Sequence, residues 1–128
     1  MTLKERDRGA AAVEFALVSL LLITLVFGIA EFGRAWYTQA TLSGAAREGV
    51  RVYALGGTEA EVRASVKSFA PGLGVVDAQI VPGASCPLTN PTGLRTTVTV
   101  NYTLDFIFPT FFGTSIPLIG KGEMRCDG

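Results

Sequence analysis

A chain of 128 residues has room for one small domain and little else, and its formal net charge of zero, eleven basic against eleven acidic residues, gives no electrostatic case for nucleic acid. There is no histidine, which excludes imidazole acid–base catalysis and imidazole metal ligation. The mean hydropathy of +0.39 is high for a soluble domain, and one long apolar run explains much of it.

The chain opens with a short basic segment, Lys4-Glu5-Arg6-Asp7-Arg8-Gly9, followed by Ala10–Ala30, AAAVEFALVSLLLITLVFGIA. That run holds a single ionisable side chain, Glu14. A helix of about 20 apolar residues, rising 1.5 Å per residue, spans the roughly 30 Å hydrocarbon core of a bilayer. Leu20-Leu21-Leu22-Ile23 has no polar face, so the helix does not lie half in water. A secretory signal would have an apolar region of only about 7–15 residues ending at a small-residue cleavage site. Gly28-Ile29-Ala30 faintly resembles such a site, but the helical character continues past it. A retained membrane helix is therefore expected over 10–30, with membrane lipid as its first partner. Basic residues tend to stay on the cytoplasmic side, and paired aromatics such as Trp36 and Tyr37 suit the opposite interface. The expected topology is N-terminus inside, C-terminal domain outside.

Glu14 is the informative residue in this run. An acidic group at the centre of a membrane helix costs roughly 3 kcal/mol on insertion scales. Two readings fit its position: a side chain that snorkels back to the headgroups, or one that awaits a positive partner in an assembly. Its surroundings favour the second. Gly9-Ala10-Ala11-Ala12-Val13-Glu14-Phe15 resembles the cleavage region of class III prepilin leaders, in which a basic leader ends in Gly and Glu is the fifth mature residue, followed by an aromatic. The resemblance implies processing by a prepilin peptidase between Gly9 and Ala10. It also implies an assembly role for Glu14 and Phe15, the carboxylate pairing with the new terminal amine of a neighbouring subunit.

No proline interrupts Glu31–Ala54, and Gly56-Gly57 is a plausible helix stop. Phe32, Trp36, Gln39, Ser43, Ala46, Val50 and Tyr53 recur at helical spacing, though small and polar residues fill the middle of that face. Ala40/Gly44 and Ala45/Gly49 are small-x-x-x-small pairs that let helices approach closely. Both a helix covering the domain behind it and a lateral helix-packing role fit this segment. The words AAVEFALV and GRAWYTQATLSGAAREGVRVYA resemble the TadE-like family of tight-adherence pilus proteins, most strongly over Arg8–Ala54. That resemblance implies a bitopic, pilin-like accessory subunit, a minor pilin or pseudopilin. Its partners would be a prepilin peptidase, other pilin-like subunits and the pilus assembly machinery.

Beyond the long helix, Thr58-Glu59-Ala60-Glu61 reads as a capping box, and Val62, Val66 and Phe69 make Glu59–Phe69 a short amphipathic helix ended by Pro71-Gly72. Val76, Ala78 and Ile80 alternate with polar residues and predict a strand. Pro82–Gly93 is a proline-rich loop. Arg95–Phe106 is the clearest strand, with Val98, Val100, Tyr102, Leu104 and Phe106 on one face and Thr97, Thr99, Asn101, Thr103 and Asp105 on the other. Lys121–Cys126 alternates again. The apolar link Phe106-Ile107-Phe108-Pro109-Thr110-Phe111-Phe112 is expected to fold back as core, the alternative being an exposed patch for a partner or the membrane surface. Cys86 and Cys126 belong to no CxxC pair. Outside the cytoplasm a disulfide between them is the natural reading, worth about 4 kcal/mol in the chain-entropy model, with two buried thiols as the alternative.

These elements predict an α+β protein: a long N-terminal helix and a small antiparallel sheet domain with a short helix. The expected organisation is a leader over 1–9, a long helix over 10–54 and an extracytoplasmic domain over 55–128. No phosphate-binding loop or metal-ligand spacing is present in the sequence, so no enzyme, cofactor or small-molecule substrate is expected. An uncleaved membrane-anchored interaction module is the alternative to a pilin-like subunit.

Overall fold

The computed structural model describes residues 3–126, with side chains from Asp7 onward. The first residues of the expected leader, and the side chains of Lys4, Glu5 and Arg6, lie outside the described residues. The chain divides into two units, Met1–Arg34 and Ala35–Gly128. Helix α1 (Leu3–Ala54) runs through that boundary and is followed by α2 (Glu59–Phe69), β1 (Ile80–Pro82), β2 (Arg95–Asp105), a single turn α3 (Pro109–Phe112) and β3 (Ser115–Arg125). The three strands form one antiparallel sheet in the order β1-β2-β3, so the expected α+β architecture is the observed one.

The helix stop falls where the glycines predict it. Gly56 takes a left-handed φ of 87°. Its N–H donates to the Tyr53 carbonyl at 3.1 Å and the Gly57 N–H donates to the Val52 carbonyl at 3.0 Å, a Schellman cap. The capping box at the start of α2 is also present. Thr58 Oγ1 accepts from the Glu61 N–H at 3.3 Å, and Glu61 Oε2 accepts from the Thr58 N–H at 2.7 Å. Val62 and Val66 are fully buried, whereas Phe69 keeps half its surface exposed.

The buried face of α1 in the second unit differs from the predicted one. It runs through Thr38, Leu42, Ala45, Ala46, Val50 and Tyr53, while Trp36 stays 69 % exposed. The small residues that blurred the expected face are what the domain packs on. A Cβ at Gly49 would lie 2.6 Å from Val66 Cγ2 and 3.4 Å from Val98 Cγ1; one at Gly44 would meet the Phe69 ring at 2.6 Å. The approach of β3 is closer still. A Cβ at Gly122 would lie 2.5 Å from the Ala46 carbonyl oxygen, and one at Gly120 would collide with the backbone of Leu42. Glycine at these two strand positions lets the sheet reach the helix backbone itself. Leu42, Val50, Val62, Val66, Ile80, Val98 and Val100 then close a single core.

β2 alternates as its sequence predicts. Val98, Val100 and Leu104 are buried, while Asn101, Thr103 and Asp105 face solvent. Thr96 is also buried, and its hydroxyl donates to the Ala84 carbonyl at 2.7 Å. β3 pairs with the whole of β2, from Asp105↔Ser115 to Arg95↔Arg125, and so begins well before the expected Lys121. Arg95 and Arg125 face each other across the ladder, and Glu123 Oε1, 2.8 Å from Arg95 Nη1, offsets that repulsion.

Three expectations are corrected or settled here. The strand expected over Val76–Ile80 is instead a 3-10 turn at Asp77–Gln79 leading into β1. Gln79 Oε1 accepts from the Val76 N–H at 2.9 Å and the Gln79 N–H donates to the Val76 carbonyl at 3.0 Å, a local closure that outcompetes the ladder. Asp77 Oδ1 sits 2.7 Å from Lys67 Nζ on α2, and Val75 rather than Val76 is buried. The link after β2 does not fold back as core: Ile107, Phe111 and Phe112 are 63 %, 53 % and 39 % exposed. The cysteine alternatives resolve as a disulfide, Cys86–Cys126, between positions separated by 40 in sequence. It ties the loop after β1 to the end of β3, where the Cys126 N–H donates to the Leu94 carbonyl at 2.9 Å.

Overpacking a tight contact typically costs about 1–3 kcal/mol. Gly122→Ala is therefore expected to lower the denaturation midpoint by that order. Gly72→Ala, with open space around it, should leave the midpoint unchanged within error. Denaturant titration of the two variants in detergent checks this.

Glu61, Asp77 and Glu123 are each held below their ordinary carboxylate pKa, by hydrogen bonds from Thr58, Lys67 and Arg95 respectively. A lowered native pKa contributes stability that is fully present above the ordinary value and is lost as pH falls through the native one. The melting temperature should hold steady down to the ordinary glutamate value of 4.5 and fall below it. The E61Q/D77N/E123Q variant should show a shallower fall in the same thermal scans.

Candidate membrane and assembly segment

The first half of α1 holds every residue that the leader resemblance singles out. From Val13 to Ile29 its large apolar side chains, Phe27 apart, stand exposed: Phe15 is 74 % and Leu21 72 % exposed. The best membrane-length window of the helix has a mean hydropathy of 2.5, with none of it buried. Exposing so much contiguous apolar surface to water is strongly unfavourable, so the segment requires lipid or other apolar helices around it. Among the described residues, this is the one helix long and apolar enough to cross a membrane.

Polar groups within the run are handled locally. Thr24 Oγ1 donates to the Leu20 carbonyl at 2.8 Å, so its hydroxyl brings no unsatisfied donor into an apolar setting. Glu14 stands exposed on the helix surface, and among the described residues it has no ion pair. At 3.6 residues per turn it shares a face with Ala10 and Ala11 below and with Leu17 and Val18 above. The small side chains below leave the carboxylate open to an approaching group. Phe15 sits on the adjoining face.

Gly9 and Ala10 lie inside the helix. Gly9 has a helical backbone and nothing within 4 Å of where a Cβ would stand. Glycine within a helix costs about 1 kcal/mol relative to alanine, and among the described residues no contact requires it there.

At the far end of the run, Arg34 Nε and Nη2 donate to Glu31 Oε2 at 3.3 and 3.1 Å, a pair whose carboxylate side chain is almost wholly buried. Their i, i+3 spacing on one helix is the signal the sequence carries for such a pair. Trp36 and Tyr37 both stand exposed, as interfacial aromatics would. A concavity with polar character, about 190 Å³ beside the disulfide, is lined by Ala54, Leu55, Gly56, Cys86, Pro87, Leu88, Pro91 and Cys126. No carboxylate, amine or hydroxyl lines it.

An exposed apolar helix leading into a small disulfide-tied sheet domain fits a membrane-anchored protein. The family model described as TadE-like protein matches residues 9–51. The match begins at Gly9, covers the apolar run with Glu14 and Phe15, and ends within the last turn of α1. Over this segment the chain is similar to the family that its residues indicated, and the sheet domain lies outside the match. TadE-like proteins are pilus-associated and structural in kind. No curated protein and no solved structure matches the chain.

Proposed function

We propose that this chain is a pilin-like subunit, a minor pilin or pseudopilin, of a bacterial tight-adherence pilus assembly system. The observation that carries the proposal is the exposed apolar helix bearing Glu14, within the segment that matches the TadE-like family. In this reading residues 1–9 are a cytoplasmic leader, 10–54 a long helix that crosses the inner membrane over 10–30, and 55–128 a domain outside it. A disulfide between Cys86 and Cys126 suits an oxidising compartment and supports that orientation. The partners are membrane lipid, a prepilin peptidase and other pilin-like subunits.

A prepilin peptidase cuts between Gly9 and Ala10. The glycine that no internal contact requires supports a constraint imposed from outside the chain, such as a tight peptidase site. Cutting removes Lys4, Glu5, Arg6, Asp7 and Arg8 and leaves an amine at Ala10. The helix can then leave the bilayer laterally with less charge at its base. Packed among other apolar helices, an ionised Glu14 needs a cation, and the terminal amine of a neighbouring subunit supplies it. A buried ion pair holds only when both partners are present; losing one typically costs about 3–5 kcal/mol. Phe15, beside it, contributes apolar contact area.

Gly9→Val should leave the precursor uncut in its host. Glu14→Gln should leave the mature mass unchanged and reduce co-purification with the other pilin-like subunits. Intact-mass measurement of the N-terminus and quantitative pull-down read the two effects separately. A wild-type protein that retains residues 1–9 in its own host overturns the pilin reading in favour of an uncleaved membrane-anchored interaction module.

A further inference from the structure

The link between β2 and β3 is an apolar tip with a built conformation. From Phe106 to Gly120 the chain carries no ionisable side chain, although Asp105 and Lys121 bracket it. The Phe106 N–H donates to the Thr114 carbonyl at 3.0 Å, and the Gly113 N–H closes the α3 turn on the Pro109 carbonyl at 3.1 Å. The Phe112 ring lies 6.4 Å from the rings of both Phe106 and Phe111. The tip is thus a fixed aromatic cluster with Ile107, Phe111 and Phe112 turned outward.

Its place in the domain follows from the strand that leaves it. The Ile119 carbonyl accepts from Gln39 Nε2 at 2.8 Å, Gly120 abuts the backbone of Leu42, and Gly122 that of Ala46. Strand and helix numbers rise together, so β3 and this part of α1 run in the same direction. At about 3.3 Å per strand residue against 1.5 Å per helix residue, following β3 back from Ile119 to Ser115 outruns the helix from Gln39 back to Ala35. The tip therefore lies at the end of the domain where α1 enters it, the end that bears Trp36 and Tyr37. Along the chain, Ala35 comes one helical turn after the last residue of the apolar run, Ala30.

We propose that the tip is a second membrane contact: Ile107, Phe111 and Phe112 insert into the headgroup–acyl boundary of the same bilayer that the apolar helix crosses. An uncharged aromatic surface suits that boundary, where interfacial segments bury their apolar face about 5–10 Å deep. The charges that would oppose insertion are confined to the ends of the stretch, Asp105 and Lys121. The proposal rests on the membrane reading of residues 10–30 and is independent of cleavage and of filament assembly.

The test uses the full chain reconstituted in vesicles of phosphatidylethanolamine and phosphatidylglycerol with brominated acyl chains, at low protein density. In a Trp36→Phe background, single tryptophans are placed by Phe111→Trp at the tip, Leu21→Trp in the apolar helix and Leu88→Trp in the loop beside the disulfide. Phe112→Trp provides a second tip position. The proposal expects the tip and helix probes to lose most of their emission to the bromines while the Leu88→Trp probe keeps its own. A quenched helix probe with two unquenched tip probes overturns the proposal and leaves the membrane helix standing. Unquenched emission at Leu21→Trp and at both tip positions overturns both. Tip emission that is protected only at high protein density assigns the patch to a second copy of the chain and overturns the lipid contact.

Discussion

The contact on which the domain depends is the approach of a strand to the bare backbone of a helix. Gly120 and Gly122 on β3 lie against the carbonyls of Leu42 and Ala46, a distance that no side chain on either strand position would allow. The helix answers with small residues of its own: Ala45, Ala46 and Gly49 leave room for Val62, Val66 and Val98. With only three strands, the sheet is too small to bury a core by itself. α1 supplies the other wall, and α2 closes the side that the short β1 leaves open. The disulfide adds a constraint just past the end of β3, beside Ala54, Leu55 and Gly56 at the end of the helix.

One helix is thus asked to satisfy two environments. After Ala35 it presents a small-residue face to a packed protein core; before Arg34 it presents large apolar side chains on every face. The transition is marked by the Glu31–Arg34 pair and by exposed Trp36 and Tyr37. A helix apolar all round cannot remain in water, so its first half needs lipid or a bundle of like helices. Glu14 distinguishes these settings. In lipid it is near enough to the end to reach the headgroups; among helices it requires a partner charge. In the proposed role as a pilin-like subunit, the chain would meet both in turn.

Much of this was legible in the residues because it is local. The capping box at Thr58 and Glu61, the glycine stop after Ala54, the alternation of β2 and the membrane-length run are each written in a few neighbouring positions. What was missed depends on contacts between segments distant in sequence. Glycines at 120 and 122 read as interruptions of a strand until the helix backbone opposite them is known, so β3 seemed half its length. The buried face of α1 was displaced because size, not hydrophobicity, selected it: Thr38 and Ala45 are buried while Trp36 is not. The Val76–Ile80 alternation was overruled by a glutamine side chain that closes a turn on its own backbone. The phenylalanine-rich tip reads as core by composition, with an exposed patch as the alternative; its exposure depends on how the link between β2 and β3 folds, which no local pattern carries.

Hydrogen exchange on the full chain in lipid nanodiscs tests most directly whether the long helix is an integral wall of the domain. In mild denaturant, the amides of Leu42–Tyr53 should open in one cooperative step with those of Val98 and Val100 on β2, at the same free energy. Exchange of Leu42–Tyr53 at a lower free energy, with β2 still protected, would mean that the sheet stands without the helix and would contradict the account.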